Sequence, residues 1–291
     1  MKLRVILMGV VFAFMWSSAF TSARVIVAYA PPVASLSLRF FISGLIGVAI
    51  ALALRQSFRL TPGQWRATIV FGICQNALYL GLNFVAMQWI EAGLASIIAS
   101  TMPLIVALLG WIVFRDKLHP VAMLGLIAGF VGVAIIMGGR LEGGLDVTGL
   151  VLCLVGATAL AVATLSVRGA SSGGNVMMIV GLQMFVGAAC LAVVSAFTET
   201  ISVTWSWQLV VAFVYTTLVP GLMATWVWFT LVNDIGAVKA ATFHFLNPFF
   251  GVAVAAVFLG EELGALDVIG VAIVAAGILA VQLSKQAQIK P

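Results

Sequence analysis

The sequence predicts an all-α membrane protein: ten transmembrane helices in two inverted five-helix repeats. Three observations predict it. The 291 residues are 63% hydrophobic and 8% charged, with mean hydropathy +1.22, whereas a soluble domain carries roughly 25% charged residues. A single soluble core has no surface left to make from such a chain, and lipid is the solvent that fits. The apolar residues fall into ten runs, each about the 20 residues that a helix needs to cross roughly 30 Å of hydrocarbon. And one stretch of the chain returns, in register, 145 residues later.

Taken in order, the ten spans are expected at about 4–23, 32–54, 64–87, 91–114, 119–138, 147–167, 174–196, 206–231, 235–259 and 265–284. The first, within MKLRVILMGVVFAFMWSSAF, resembles a signal peptide, but it lacks a cleavage end and more spans follow, so it reads as a retained helix. Pro31-Pro32 opens the second span, Thr61-Pro62-Gly63 the third and His119-Pro120 the fifth; Gly138-Gly139 is expected to end the fifth. Ser171-Ser172-Gly173-Gly174 separates the sixth from the seventh. The polar interval 139–146 (GRLEGGLD) divides residues 1–138, the first five-helix repeat, from residues 147–285, the second. Helices are expected throughout, because lipid cannot satisfy exposed backbone polar groups. The runs are too continuously apolar for the alternating faces of a β-barrel.

The repeat is carried by QWIEAGLASIIASTMPLIVALLGWIVFRDKLHPVAMLGLIAGFVGVAIIM, Gln88 to Met137, and its counterpart from Asn233 to Gln282. Without a gap, Ala92 falls on Ala237, Ala95 on Ala240, Pro103 on Pro248, Leu118 on Leu263, Gly125 on Gly270 and Gly132 on Gly277; the acids Asp116 and Glu261 also coincide. Five spans is an odd number, so the two units must enter the membrane in opposite senses. An inverted pair supplies two similar arrangements around a midplane site, one opening to each side, and this is the step from duplication to alternating-access transport.

Charge gives the expected orientation. With the N-terminus cytoplasmic, that side receives Lys2, Arg4, Arg55, Arg59, Arg66, Arg115, Lys117, Arg168, Lys239, Lys285 and Lys290; the other receives Arg24 and Arg140, with Arg39 just inside the second helix. Both termini are therefore expected in the cytoplasm. The net charge of +5 is spread singly between apolar runs, which gives no nucleic-acid surface. Cys74, Cys153 and Cys190 lie inside apolar runs without paired or metal-ligand spacing, and read as small hydrophobes.

The segments AGLASIIASTMPLIVALLGWIVFRDKL (92–118) and AVKAATFHFLNPFFGVAVAAVFLGEEL (237–263), with MWSSAFTSAR at 15–24 and LSLRF at 36–40, resemble the drug/metabolite transporter superfamily, in particular its ten-helix members with two EamA-type domains. The resemblance covers about residues 5–284. The first half departs from it in having Arg115-Asp116 where the second keeps Gly260-Glu261. It implies a carrier of the bacterial cytoplasmic (inner) membrane that exports amino acids or related small metabolites. Likeness to aromatic amino acid exporters points to ring-bearing ones. Nucleotide-sugar, nucleobase and drug carriers of the same fold are the alternatives, as is a non-transporting scaffold or lipid scramblase.

Within the spans, polar and aromatic residues mark candidate positions. Asn76, Tyr79 and Asn83 share one helical face, either lining a passage or bonding a neighbouring helix. His244 lies four residues before Pro248, with Asn247 between; an imidazole there can line a cavity, make a structural hydrogen bond or carry a proton. Pro103 and Pro248 each free a carbonyl one turn earlier and are expected as hinges, or as fixed kinks; Thr101 and Ser100 either bond such carbonyls or face substrate. Trp16 and Ser17 sit near mid-depth, away from the interface where tryptophan usually anchors. Tyr215, Trp226 and Trp228, with Tyr79 and Phe243, are expected to contribute to an aromatic cavity, while Trp65, Trp89 and Trp111 near span ends read as interface residues. The small-residue stripes Ala92/Ser96/Ser100, Gly125/Gly129 and Gly270/Gly277 read as packing within the chain, with dimerisation the alternative. Glu91 and Asp234 are expected at helix starts, and no span carries a carboxylate near its middle, which disfavours acid-based proton coupling. No Walker motif, HExxH or Cys/His cluster is present, so neither ATP driving nor an enzyme is expected, and no cofactor or metal. The expected partners are small amphiphilic metabolites and membrane lipid, with the protein a monomer or weak homodimer.

Overall fold

The computed structural model describes residues 3–115, 118–141, 146–166 and 173–289. Lys2, Asp116, Lys117, Glu142, Arg168, Ser171, Ser172 and Lys290 lie outside the described residues. The described residues form ten membrane-length apolar helices and no strand: α1 (Leu3–Tyr29), α2 (Pro32–Ala53), α3 (Pro62–Ala86), α4 (Ala92–Val113), α5 (Pro120–Gly138), α6 (Val147–Leu165), α7 (Val176–Thr198), α8 (Trp207–Val232), α9 (Lys239–Leu259) and α10 (Ala265–Ser284). With ten spans among the described residues, the start of α1 and the end of α10 lie on the same face of the bundle, here the terminal face; the α1–α2, α3–α4, α7–α8 and α9–α10 turns lie on the distal face.

The turn chemistry works locally. Thr61 and Gln64 form a reciprocal capping box at the start of α3 (Gln64 N to Thr61 Oγ1, 3.3 Å; Thr61 N to Gln64 Oε1, 2.9 Å). Ser206 caps α8 through Leu209 N and Asp146 caps α6 through Gly149 N. Three boundaries differ from expectation. α1 runs on to Tyr29, because no breaker precedes Pro31-Pro32. Gly138-Gly139 does not end helical winding, which runs past the apolar span of α5 to Leu141; glycine weakens a helix by about 1 kcal/mol per residue but blocks none of its hydrogen bonds. Asp234 falls in the last turn of the α8 helix rather than at a helix start, 3.8 Å from Arg4 Nη2.

Large apolar side chains cover the lipid-facing surface (Leu124 68%, Val257 78% and Phe258 72% exposed), and Trp65, Trp89 and Trp111 near span ends are also exposed. Inside, helices pair across the two halves. α2 packs on α7 and α5 on α10; a Cβ built on Gly47 would stand 3.2 Å from Gly181 Cα, and one on Gly125 2.7 Å from the Gly277 carbonyl. These glycines are spacers that let backbones touch, so the Gly125 and Gly277 stripes face each other within one chain. Each helix of the α2–α7 pair is capped from the end of the other. Glu199, just past α7, accepts from Val33 N (2.9 Å) and Ala34 N (2.8 Å) at the start of α2, and Gln56, past α2, accepts from Met178 N (3.0 Å) at the start of α7.

Among the described residues, helical regularity breaks within the spans at four places, and the breaks match under the 145-residue offset. α3 winds as a π-helix over Gly72–Leu80 and α8 over Thr217–Met223. α4 is interrupted at Thr101 (φ −74°, ψ −8°) between Ala92–Ser100 and Met102–Phe114. In α9 a 3₁₀ turn, Thr242–Leu246, ends at Leu246 (φ −81°, ψ −16°) before Asn247–Leu259. Pro103 and Pro248 each follow by two residues, where a missing N–H costs nothing at the start of a new helical segment. The pairing of α2 with α7 and α5 with α10, and the matched breaks, are consistent with an inverted repeat.

Candidate functional site

The breaks in α4 and α9 converge on a small cavity at mid-depth. α1 contributes Trp16 and Phe20, one turn apart; α3 contributes Tyr79; α6 contributes Leu160. α4 lines it with Ala99, Ser100, Met102 and Pro103, α9 with His244 and Asn247. The space is about 20 Å³, room for a water molecule. Among the described residues, no Lys, Arg, Asp or Glu reaches the lining.

His244 is held by rings on three sides. Phe12 (centroids 5.3 Å apart, 86°), Trp16 (6.3 Å, 85°) and Trp228 (5.3 Å, 54°) surround the imidazole, in largely edge-to-face geometry that aromatic quadrupoles favour. Its Nδ1 meets Asn247 Nδ2 at 2.9 Å. With Nδ1 accepting, the proton of the neutral ring sits on Nε2. Ser17 Oγ donates to the Asn247 carbonyl (3.1 Å), tying α1 to α9 at the break. Asn247 Oδ1 is buried and finds no partner among the described residues. An orphaned acceptor beside a cavity costs free energy until something donates to it.

Of the positions singled out in the sequence, Trp16, Tyr79, Ser100, Pro103, His244 and Asn247 meet at this cavity, with Ser17 and Trp228 directly behind it. The others lie elsewhere. Asn76 turns to α7 and donates to the Gln183 carbonyl (2.9 Å). Asn83 donates to the Tyr79 carbonyl (2.7 Å) and accepts from the Cys153 thiol (3.3 Å). Thr101 Oγ1 donates to the Ile98 carbonyl (2.6 Å). Tyr215 pairs with Ser18 Oγ (2.7 Å), which itself donates to the Met15 carbonyl, so the phenol is the donor. Phe243 packs its ring on Gly9. Pro248 is buried one residue beyond the lining.

Sequence reasoning missed Phe12, Phe20, Met102 and Leu160. For the first two there was a signal: Phe12, Trp16 and Phe20 recur every four residues, one face of α1. It also missed the burial of Arg39, which is 5% exposed. Pro220 lies inside the α8 π-turn and cannot donate to the carbonyl of Thr216; Arg39 Nε does so instead (3.2 Å). The guanidinium also lies 5.2 Å from the Phe40 ring centroid, within cation–π range.

The EamA-like transporter family model matches the chain twice, over residues 3–138 and 147–283. Among curated relatives, the chain is 27% identical to the uncharacterized transporter YvbV of Bacillus subtilis, over 99% of this chain and 94% of that one. It is 22% identical to YoaV of the same organism, over 94% and 95%, and 22% identical to protein PecM of Dickeya dadantii, over 78% of each. A crystal structure matches over 100% of both chains with TM-score 0.71 and 20% identity, a likeness of fold. The chain belongs to the EamA-like transporter family and is an integral membrane transporter.

Proposed function

We propose that this transporter carries amino acids or related small metabolites, ring-bearing ones among them, out of the cytoplasm by alternating access. The observation that carries the reading is the chemistry of the mid-depth cavity. Aromatic faces from α1 and α3 meet an imidazole and an amide with an unfilled acceptor, and no fixed charge stands among them. Such a lining accepts a solute with a ring and polar groups but no net charge, which describes a zwitterionic aromatic amino acid. A net charge in the solute would meet no opposite charge there to offset its desolvation, whereas the ammonium and carboxylate of a zwitterion lie beside each other and offset one another in part. That disfavours nucleotide sugars; a neutral nucleobase satisfies the same rings and amide and is the second reading.

The cavity as it stands has room for a water molecule and none for a metabolite, so α4 and α9 must move apart to admit cargo. Their breaks at Thr101–Pro103 and Leu246–Pro248 are the hinges in this reading. The terminal face is cytoplasmic, on the Lys/Arg bias.

The test is flux in proteoliposomes made from purified protein. Labelled phenylalanine, tyrosine or tryptophan should enter saturably, above empty vesicles, with counterflow when unlabelled amino acid is inside. Flux of every amino acid at the empty-vesicle rate, with saturable adenine or uracil entry, would move the substrate to the second reading. No saturable flux of either class would end both.

A further inference from the structure

Between the cavity and the distal face, α4 and α9 touch through small residues. Ser96 lies against Gly251, and a Cβ on Gly93 would stand 3.7 Å from both Val252 Cα and Ala255 Cβ. Ala92, Ser96, Gly251 and Ala255 are all buried, so nothing larger than a serine side chain separates the backbones. Toward the terminal face the two helices part. Met102–Phe114 of α4 packs mainly on α6 and α10, whereas Ala237–Leu246 of α9 packs on α8, α10 and α1. The α4–α9 contact thus lies on the distal side of the cavity.

At the rim of this contact stands Glu261, two residues past the end of α9. Its carboxylate accepts from both amides that open α4, Ala92 N to Oε1 at 2.7 Å and Gly93 N to Oε2 at 2.9 Å. First-turn amides have no partner within their own helix, and a carboxylate there gains from the helix dipole as well as from charge-assisted hydrogen bonds. The contact joins residues 169 and 168 positions apart, one in each half of the chain. It is made at the membrane surface, where water can replace either partner. A bond of this kind holds strongly yet releases without stranding a buried charge.

We infer that Glu261 is the latch of the distal gate: it positions α4 against α9, and the passage opens to the distal side only when its two hydrogen bonds break. The inference rests on the alternating-access reading but not on any particular substrate.

The test begins with Cys74, Cys153 and Cys190 replaced by alanine and Ser100→Cys as a reporter beneath the seal. A membrane-impermeant maleimide added on the distal side should label the reporter at least about fivefold faster once Glu261→Ala removes both acceptors. Glu261→Gln, keeping one acceptor oxygen, should fall between. A second variant locks the gate instead. The 3.7 Å Cβ separation between positions 93 and 255 suits a disulfide, whose Cβ atoms stand about 3.5–4.5 Å apart. In Gly93→Cys/Ala255→Cys the added Cβ at 93 stands 2.9 Å from Glu261 Oε2, so the reduced pair already loosens the latch; oxidation should abolish saturable flux and protect the reporter, and reduction should return both to the level of the unoxidised pair. A merely structural role would not be reversed by a reductant. Unchanged labelling in Glu261→Ala overturns the latch. If that variant fails to insert, the disulfide pair decides: flux at the reduced rate with the bond verified by mass overturns the gate. Should no amino acid be transported, the labelling arms still read the gate, so the two failures are distinguishable.

Discussion

The α3–α7 and α8–α2 contacts occupy equivalent places in the two halves, yet their chemistry runs in opposite directions. Both centre on a π-turn, Gly72–Leu80 in α3 and Thr217–Met223 in α8. In the first, the turn supplies the donor: Asn76 reaches across to the Gln183 carbonyl of α7. In the second, the residue 145 positions on from Asn76 is Gly221, which has no side chain to donate, and the neighbour supplies the donor instead. Arg39 of α2 reaches in to the Thr216 carbonyl, while its own counterpart in α7 is Met184. Pro220 cannot donate to the Thr216 carbonyl, and lipid cannot either. In one half a neutral amide of the π-turn satisfies the neighbour's carbonyl; in the other a cation of the neighbour satisfies the turn's. A duplicated backbone need not keep duplicated chemistry.

The cavity is lopsided in the same way. His244 and Asn247 of α9 face positions whose equivalents in α4 are Ala99 and Met102. Giving α9 the residues of α4, as His244→Ala with Asn247→Met, removes the imidazole and amide while keeping the break. Saturable flux of the transported amino acid in proteoliposomes should fall at least about tenfold, the loss of roughly one hydrogen bond to substrate, with insertion unchanged. Retained flux would mean that the asymmetry is unrelated to recognition. The prolines test what the halves share. Pro103→Ala and Pro248→Ala each restore a backbone donor at a break and should slow counterflow severalfold, about 1 kcal/mol in the barrier, more than they weaken substrate binding. Lost binding with intact turnover would leave the breaks as fixed kinks. A smaller effect separates the two π-turn contacts. Asn76→Ala should lower stability in detergent by about 1 kcal/mol. Gly221→Asn, which copies the first half into the second, should cost about 1–3 kcal/mol, because its Cβ would stand 3.1 Å from the Thr216 carbonyl and 3.3 Å from Arg39 Nη2. Equal stabilities by thermal unfolding would show that the two contacts are interchangeable.

Particular residues show how far the sequence could be read. Pro103 and Pro248 were legible as breaks because proline acts on its own turn. The turn signals at Thr61 and Pro31-Pro32 were legible for the same reason. Tyr79 and Asn83 share a face, but which helix that face meets is a tertiary matter: Tyr79 reaches the cavity, whereas Asn83 is taken up by the Tyr79 carbonyl and by Cys153. The sequence difference between Arg115 and Gly260 is absorbed by one backbone geometry, since both are left-handed C-caps (φ 55° and 69°). Glycine adopts that conformation freely and arginine at some cost, so the motif departs while the cap conformation does not.

The amino-acid sequence by itself determined the ten spans, their approximate ends and the duplication, because lipid imposes a length and a uniform apolarity that any window of residues displays. The tertiary structure alone decided which polar atoms meet: Asn247 with His244, Arg39 with the Thr216 carbonyl, Glu261 with the amides of Ala92 and Gly93. Apart from the first pair, these partners come from opposite halves of the chain, and a hydrogen bond has reach and direction but no sequence period. Hydrocarbon selects for composition, which is local; satisfying a buried polar atom selects for position, which only packing supplies.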